Sequence, residues 1–143
     1  MAGKKLLSAN VEIMEQLRRA VNDATDRGDY LPAAIYIFQM LEGTLRMHIN
    51  WLAREKNVSE ENIKRISEDE IVFPRLVLFF DVLKPDNSLS ERFLNLNKKR
   101  NSIIHRLFLD FESLDSLKEF LKDFCQEGIE LYKDLGGLDK YQI

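Results

Sequence analysis

The sequence predicts an all-α fold, an up-and-down four-helix bundle with one or two additional short helices. Three observations carry this expectation. Apolar residues recur at steps of three and four through most of the chain, the period of one helix face. Only three prolines and six glycines interrupt 143 residues. Helix-start signals and turn clusters fall between the periodic segments.

In the first segment Leu7, Val11, Met14, Leu17, Val21 and Ala24 form one stripe that ends at Arg27 and Gly28. Asp29 can cap a second helix, and Pro32 is tolerated in its first turn, where no backbone donor is needed. That helix is predicted over Tyr30 to Lys56, with Leu31, Ile35, Phe38, Leu41, Leu45, Ile49 and Leu52 as its buried face. In the middle, Ser59 and Ser67 each precede acidic residues in the manner of helix starts, Ser67 with Glu70 fitting a capping box. Pro74 followed by Leu76, Phe79, Phe80 and Leu83 at helical spacing favours a short helix over a strand. The run from Lys84 to Ser88, with Pro85, Asp86 and Asn87, is a turn by composition.

Ser88 and Glu91 form a capping box that opens a helix to about Leu109. Ser113 or Ser116 starts the last helix, where Leu114, Leu117, Leu121, Phe124, Gly128, Leu131 and Leu135 alternate steps of three and four. A glycine inside that seam costs roughly 1 kcal/mol against alanine, so another backbone is expected to approach closely at Gly128. Gly136 and Gly137 stop the helix. The whole chain, 1–143, reads as a single domain with its core over about 6–135 and a tail at 138–143.

Composition narrows the function classes. The apolar fraction is 45% and the charged fraction 31%, ordinary for a chain that buries a core. The lone cysteine, Cys125, excludes an intrachain disulfide framework and favours a reducing, cytoplasmic compartment. One cysteine and two histidines cannot build a Cys/His zinc site, and no metal or cofactor is expected. The run Leu76–Phe80 is far too short to span a membrane, and the N-terminal stretch does not read as a signal peptide. A net charge of −3 argues against indiscriminate coating of nucleic acid, although a local basic patch exists.

That patch is the segment from Asn97 to Arg106. On a helical wheel Phe93, Leu96, Ile103, Ile104 and Leu107 define an apolar face. Arg100 falls in the middle of that face, Asn97 within it, Asn101 at its edge and His105 one step further round. An unpaired buried charge costs several kcal/mol, so Arg100 needs a carboxylate, a polar cavity or a ligand. Glu42 lies within the stripe of Leu31, Phe38, Leu45 and Ile49 on the second helix and is a candidate partner. The bland alternative is a buried ion pair that only sets helix register.

Arg100, Asn101 and His105 resemble the signature of the HEPN family of helical bundles: an arginine and a histidine four to six residues apart, with a polar residue directly after the arginine. In that family the signature lies on a late helix of the bundle, and the resemblance in architecture covers roughly Leu6 to Leu135. The resemblance implies metal-independent RNA cleavage by a homodimer, often a toxin or defence effector, with paired motifs meeting at the interface. It implies His105 as general acid or base, Arg100 as phosphate clamp, and Asn101 as a positioning group; Glu42 and Asn97, placed by the helical wheel, are the candidates to support them. The chemistry suits these residue types. Histidine exchanges protons near neutral pH, and arginine presents a fork of donors to a developing phosphate charge.

Lys98, Lys99 and Arg106 flank the motif and are candidates to hold RNA phosphates; a solvated helix surface is the plain alternative. His48 reads as a helix-face residue with no catalytic role, and Asn50 and Cys125 read as structural. Tyr30, Tyr36 and Trp51 read as core or rim aromatics that could otherwise stack on bases. Leu107 stands where some toxin-type members carry a tyrosine modified by a partner nucleotidyltransferase, a departure that concerns neutralisation rather than cleavage. An antitoxin or nucleotidyltransferase partner is therefore an open expectation. Two other readings stay open. One is a non-catalytic HEPN bundle that binds RNA, nucleotide or such a partner. The other is a histidine phosphotransfer bundle, for which Phe108 and Leu109 stand where lysine and glycine are wanted.

Overall fold

The computed structural model describes residues 2–67, 71–106 and 111–136, with side chains from residue 12 onward except at residue 67. Six helices lie among the described residues, and no strand does: α1 (Ala2–Asp26), α2 (Tyr30–Glu55), α3 (Glu60–Ser67), α4 (Phe73–Leu83), α5 (Ser90–His105) and α6 (Leu114–Leu135). The expected four principal helices are α1, α2, α5 and α6, and the two short ones fall in the middle of the chain.

α2 is the central column. It packs against α1, α6, α4 and α3, while α5 bridges α4 and α6. Side-chain contacts fix the directions. Thr44 donates to Met14 Sδ at 3.6 Å, so α1 returns antiparallel on α2 after the Gly28 turn. Cys125 Sγ meets the Tyr30 carbonyl and His48 meets the Gly136 carbonyl, so α6 runs parallel to α2. Arg92 pairs with Asp134 and Lys99 with Glu127, so α5 runs antiparallel to α6. The four principal helices therefore alternate up and down.

Phe38, Leu41, Leu45, Ile49 and Leu52 are buried as the spacing predicts, but Leu31 and Ile35 are 46% and 47% exposed. They sit in the first turns of α2, towards the end of the bundle where α5 finishes, and the helices packed on α2 leave that face open. Ile104 (52% exposed) and Leu114 (66%) depart from their predicted stripes in the same way, near helix ends. The core is joined by aromatic contacts from Phe38 to Phe73 (4.8 Å between centroids), Phe73 to Phe93 (6.0 Å) and Phe93 to Phe80 (6.3 Å), which tie α2, α4 and α5 together.

The caps hold two corrections and one agreement. Asp29 makes no capping hydrogen bond, because its carboxylate accepts from Arg27 instead. The expected Ser88–Glu91 box is absent; α5 starts at Ser90, and Asn87 Oδ1 accepts from the backbone N–H groups of Leu89 and Ser90. Ser113 and Ser116 do form a reciprocal box at the start of α6. α5 ends at His105 rather than continuing, and residues 107–110, with the expected extension to Leu109, lie outside the described residues. So do the acidic residues after Ser67, Gly137 and the tail. At Gly128 the close neighbour is a side chain, Ile37 of α2, rather than a backbone.

Candidate functional site

α5 carries the arginine and the histidine. Phe93, Leu96 and Ile103 anchor it in the core, and Asn97 is buried with them at 8% exposure. Arg100 lies on that inward side and is half-buried. Its guanidinium stacks on the ring of Phe38, 4.4 Å from the centroid, at one end of the aromatic chain. Its Nη1 donates a long hydrogen bond of 3.4 Å to Asn97 Oδ1. A stacked cation of this kind gains roughly 0.5–2 kcal/mol, more as water is excluded.

The expected pairing of Glu42 with Arg100 is not made. Glu42 Oε1 accepts from Arg46 Nη2 at 3.0 Å, one helical turn along on α2. Arg46 also donates to the Ile71 carbonyl at 3.1 Å, which ties α2 to the segment before α4. An i,i+4 partner on the same helix needs no further ordering of the chain, so it wins over a partner on α5. Arg100 has no carboxylate within salt-bridge range among the described residues. Its ring-face stacking and the single amide contact leave most of its five donors uncommitted.

Asn101 and His105 are exposed. His105 is the last residue of α5, five positions beyond Arg100, so about 140° of rotation and about 7.5 Å of rise separate their Cα atoms on the helix. Asn97 and Arg100 are thus brought together within one chain, and Arg100 and His105 point to different sides. Of the flanking cations, Lys98 is exposed, while Lys99 Nζ lies 2.6 Å from both carboxylate oxygens of Glu127 on α6. Arg106 is exposed and caps α5, its backbone N–H donating to the Ser102 carbonyl.

His48, expected as a helix-face residue without a catalytic role, is instead fully buried in the core. Its Nε2–H donates to the Gly136 carbonyl at 3.0 Å, closing the end of α6 onto α2. Its place in the series Leu41, Leu45, His48, Leu52 already carries the core spacing. Tyr30, Tyr36 and Trp51 are half-buried, the two tyrosines against the core. Two features escape the sequence reading: Phe38 as the platform beneath Arg100, and the acidic partners of α5 on α6. The second has a signal, since Arg92 and Lys99 repeat the seven-residue interval of Glu127 and Asp134.

Among the described residues no helix is long and apolar enough to cross a membrane. Nor is any group of three or more His, Cys, Asp or Glu side chains there arranged to hold a metal ion. Fold and site together define an all-helical bundle whose late helix carries an exposed terminal histidine and a half-buried arginine with no carboxylate partner among the described residues. No protein-family model matches the chain, and neither a curated protein nor a solved structure does.

Proposed function

We propose that the chain is a metal-independent endoribonuclease of HEPN type, acting as a homodimer whose two α5 helices build one composite site. The observation that supports this reading is Arg100. A guanidinium held on an aromatic face, half-shielded from water and with no carboxylate partner among the described residues, is prepared to receive an anion that comes from outside the chain. A phosphodiester supplies that anion. Arg100 would hold the non-bridging oxygens and Asn101 would help to position the strand.

In the reaction the ribose 2′-OH attacks the adjacent phosphorus and the bond to O5′ breaks. One proton leaves the 2′-OH and another reaches the departing oxygen. The products are a 2′,3′-cyclic phosphate and a 5′-OH. His105 suits either transfer, and a dimer offers two copies, one as base and one as acid. The angular separation of Arg100 and His105 on α5 favours convergence across a two-fold axis over convergence within a chain. A toxin or defence role in the cytoplasm, with an antitoxin or nucleotidyltransferase partner, follows from the same reading.

Two measurements test it. Light scattering after size exclusion should give a dimer, and a monomer at tens of micromolar would remove the composite site. RNA incubated with the protein in excess EDTA should be cut internally and carry cyclic-phosphate ends. If a broad panel of RNAs stays intact, a non-catalytic bundle that binds RNA, nucleotide or a partner protein replaces the nuclease.

A further inference from the structure

The seam between α5 and α6 is basic on one wall and acidic on the other. Arg92 and Lys99 lie seven residues and about 10.5 Å apart along one side of α5, and Arg106, seven positions further on, follows the last helical residue, His105. Lys99 Nζ holds both oxygens of Glu127 at 2.6 Å, and Arg92 Nη1 holds Asp134 Oδ2 at 2.7 Å. Between the helices lies a hollow of about 440 Å³ lined by Leu96, Lys98, Glu130 and Leu131 together with the paired Arg92, Lys99 and Glu127. A second hollow of about 240 Å³ continues past Lys99 towards Phe120. Lys98 makes no ion pair among the described residues.

From this arrangement we infer that the α5–α6 seam is the track for the RNA backbone, and that Glu127 and Asp134 occupy it as built-in substitutes for phosphate. The inference rests on the ribonuclease reading and adds to it where the strand lies and what holds the site closed. The energetics favour exchange. All four side chains are 36–56% exposed, and ion pairs this exposed to solvent hold their partners only weakly. A polyanion that replaces the two carboxylates releases its own condensed counterions, a gain the intramolecular pairs do not have. A strand seated there is led along Arg92 and Lys99 towards Arg106 and His105 at the end of α5. With no RNA bound, the two carboxylates hold α5 against α6 and repel weakly bound polyanions.

The test uses His105→Ala as the non-cleaving parent and a fluorescein-labelled 20-mer of oligouridylate, with binding read by anisotropy at several salt concentrations. Adding Glu127→Gln and Asp134→Asn should tighten binding by about tenfold at low salt. The slope of log affinity against log salt should steepen by about 1.4, or 0.7 for each phosphate newly neutralised on a single strand. Glu55→Gln with Glu119→Gln makes the same charge change at exposed positions outside these pairs and should give less than about threefold. Adding Arg92→Ala and Lys99→Ala to the seam variant should abolish its gain. Thermal melting checks that every variant is folded. Equal tightening by the seam and control pairs overturns the inference, as does a gain that survives loss of Arg92 and Lys99. If RNA is cut by the wild type but seam variants bind like the parent, only the inference fails. If no variant binds RNA and the wild type cuts none, the ribonuclease reading fails with it.

Discussion

Gly128→Ala is the most direct test of how α6 seats on α2. A Cβ built at Gly128 would overlap Ile37 Cγ2 and lie 3.7 Å from Ile37 Cβ and 3.8 Å from Leu41 Cδ1. Ile37 is 2% exposed and Leu41 fully buried. Ile37 branches at Cβ, so its χ1 has one strongly preferred well in a helix and cannot swing aside. Relief then requires the two helices to part, and overpacking of this kind costs about 1–3 kcal/mol. Removing a glycine from a helix interior returns roughly 1 kcal/mol. With Ile37 pinned, the net effect should be a loss of about 0–2 kcal/mol, a fall in Tm of up to roughly 6 °C for a domain of this size. Urea unfolding followed by circular dichroism measures it. Ile37→Leu removes the offending methyl from Cβ, so the double variant should show a coupling above about 0.5 kcal/mol. Gly43 supplies the contrast. There a Cβ meets Met14 Cε at 2.7 Å, the far end of a flexible side chain, so Gly43→Ala should be neutral or gain up to about 1 kcal/mol. A gain of about 1 kcal/mol from Gly128→Ala as well, the value helix propensity alone gives, would refute the close packing of α6 on α2.

Glu42→Gln should change stability by less than about 1 kcal/mol, because its partner Arg46 is part-exposed and keeps the Ile71 carbonyl as an acceptor. Arg100→Met should also stay within about 1 kcal/mol, its thioether taking the guanidinium's place over Phe38. A loss above about 2 kcal/mol in both would restore a buried Glu42–Arg100 pair. Burial pushes the Cys125 thiol from its ordinary 9.0 up to about 11, so the folded protein keeps it protonated at pH 8. Ellman's reagent should label it slowly in buffer and fast in urea. Because the raised value belongs to the folded state, this group's effect on stability is constant below about pH 9 and turns against folding from there to about pH 11. Fast labelling of the folded protein at pH 8 would show that Cys125 is not enclosed between α6 and Tyr30.

The helices were legible because one physical rule, burial of a repeating apolar face, acts along each of them. Pro74 and the spacing of Leu76, Phe80 and Leu83 decided helix over strand at α4, and Gly28 and Gly136 marked ends where φ is +75° and +80°. What escaped depends on three-dimensional neighbours. The exposure of Leu31 and Ile35 follows from which helices surround α2 and where they stop, and the periodicity of α2 alone does not contain that. Glu42 was matched to Arg100 because both sit on apolar faces, whereas Arg46, four residues along, was the nearer and more readily ordered partner. The polar stripe of Asn97 and Arg100 was legible as a conflict between residue type and helical position. Its resolution was not, since stacking on Phe38 requires knowing which ring lies opposite.

The central claim is that Arg100 and His105 cut RNA. The measurement that addresses it most directly is the initial rate of RNA cleavage in excess EDTA by wild type, His105→Ala and Arg100→Ala, each shown by circular dichroism to be folded. Chelation should leave the wild-type rate unchanged, because the proposed chemistry runs through side chains alone. Loss of His105 should lower the rate by about 10²–10⁴, the usual contribution of a positioned acid or base. Loss of Arg100 should cost about 10²–10³, comparable to removing one donor from a site that stabilises developing charge. A folded His105→Ala protein that cuts as fast as wild type would contradict the account.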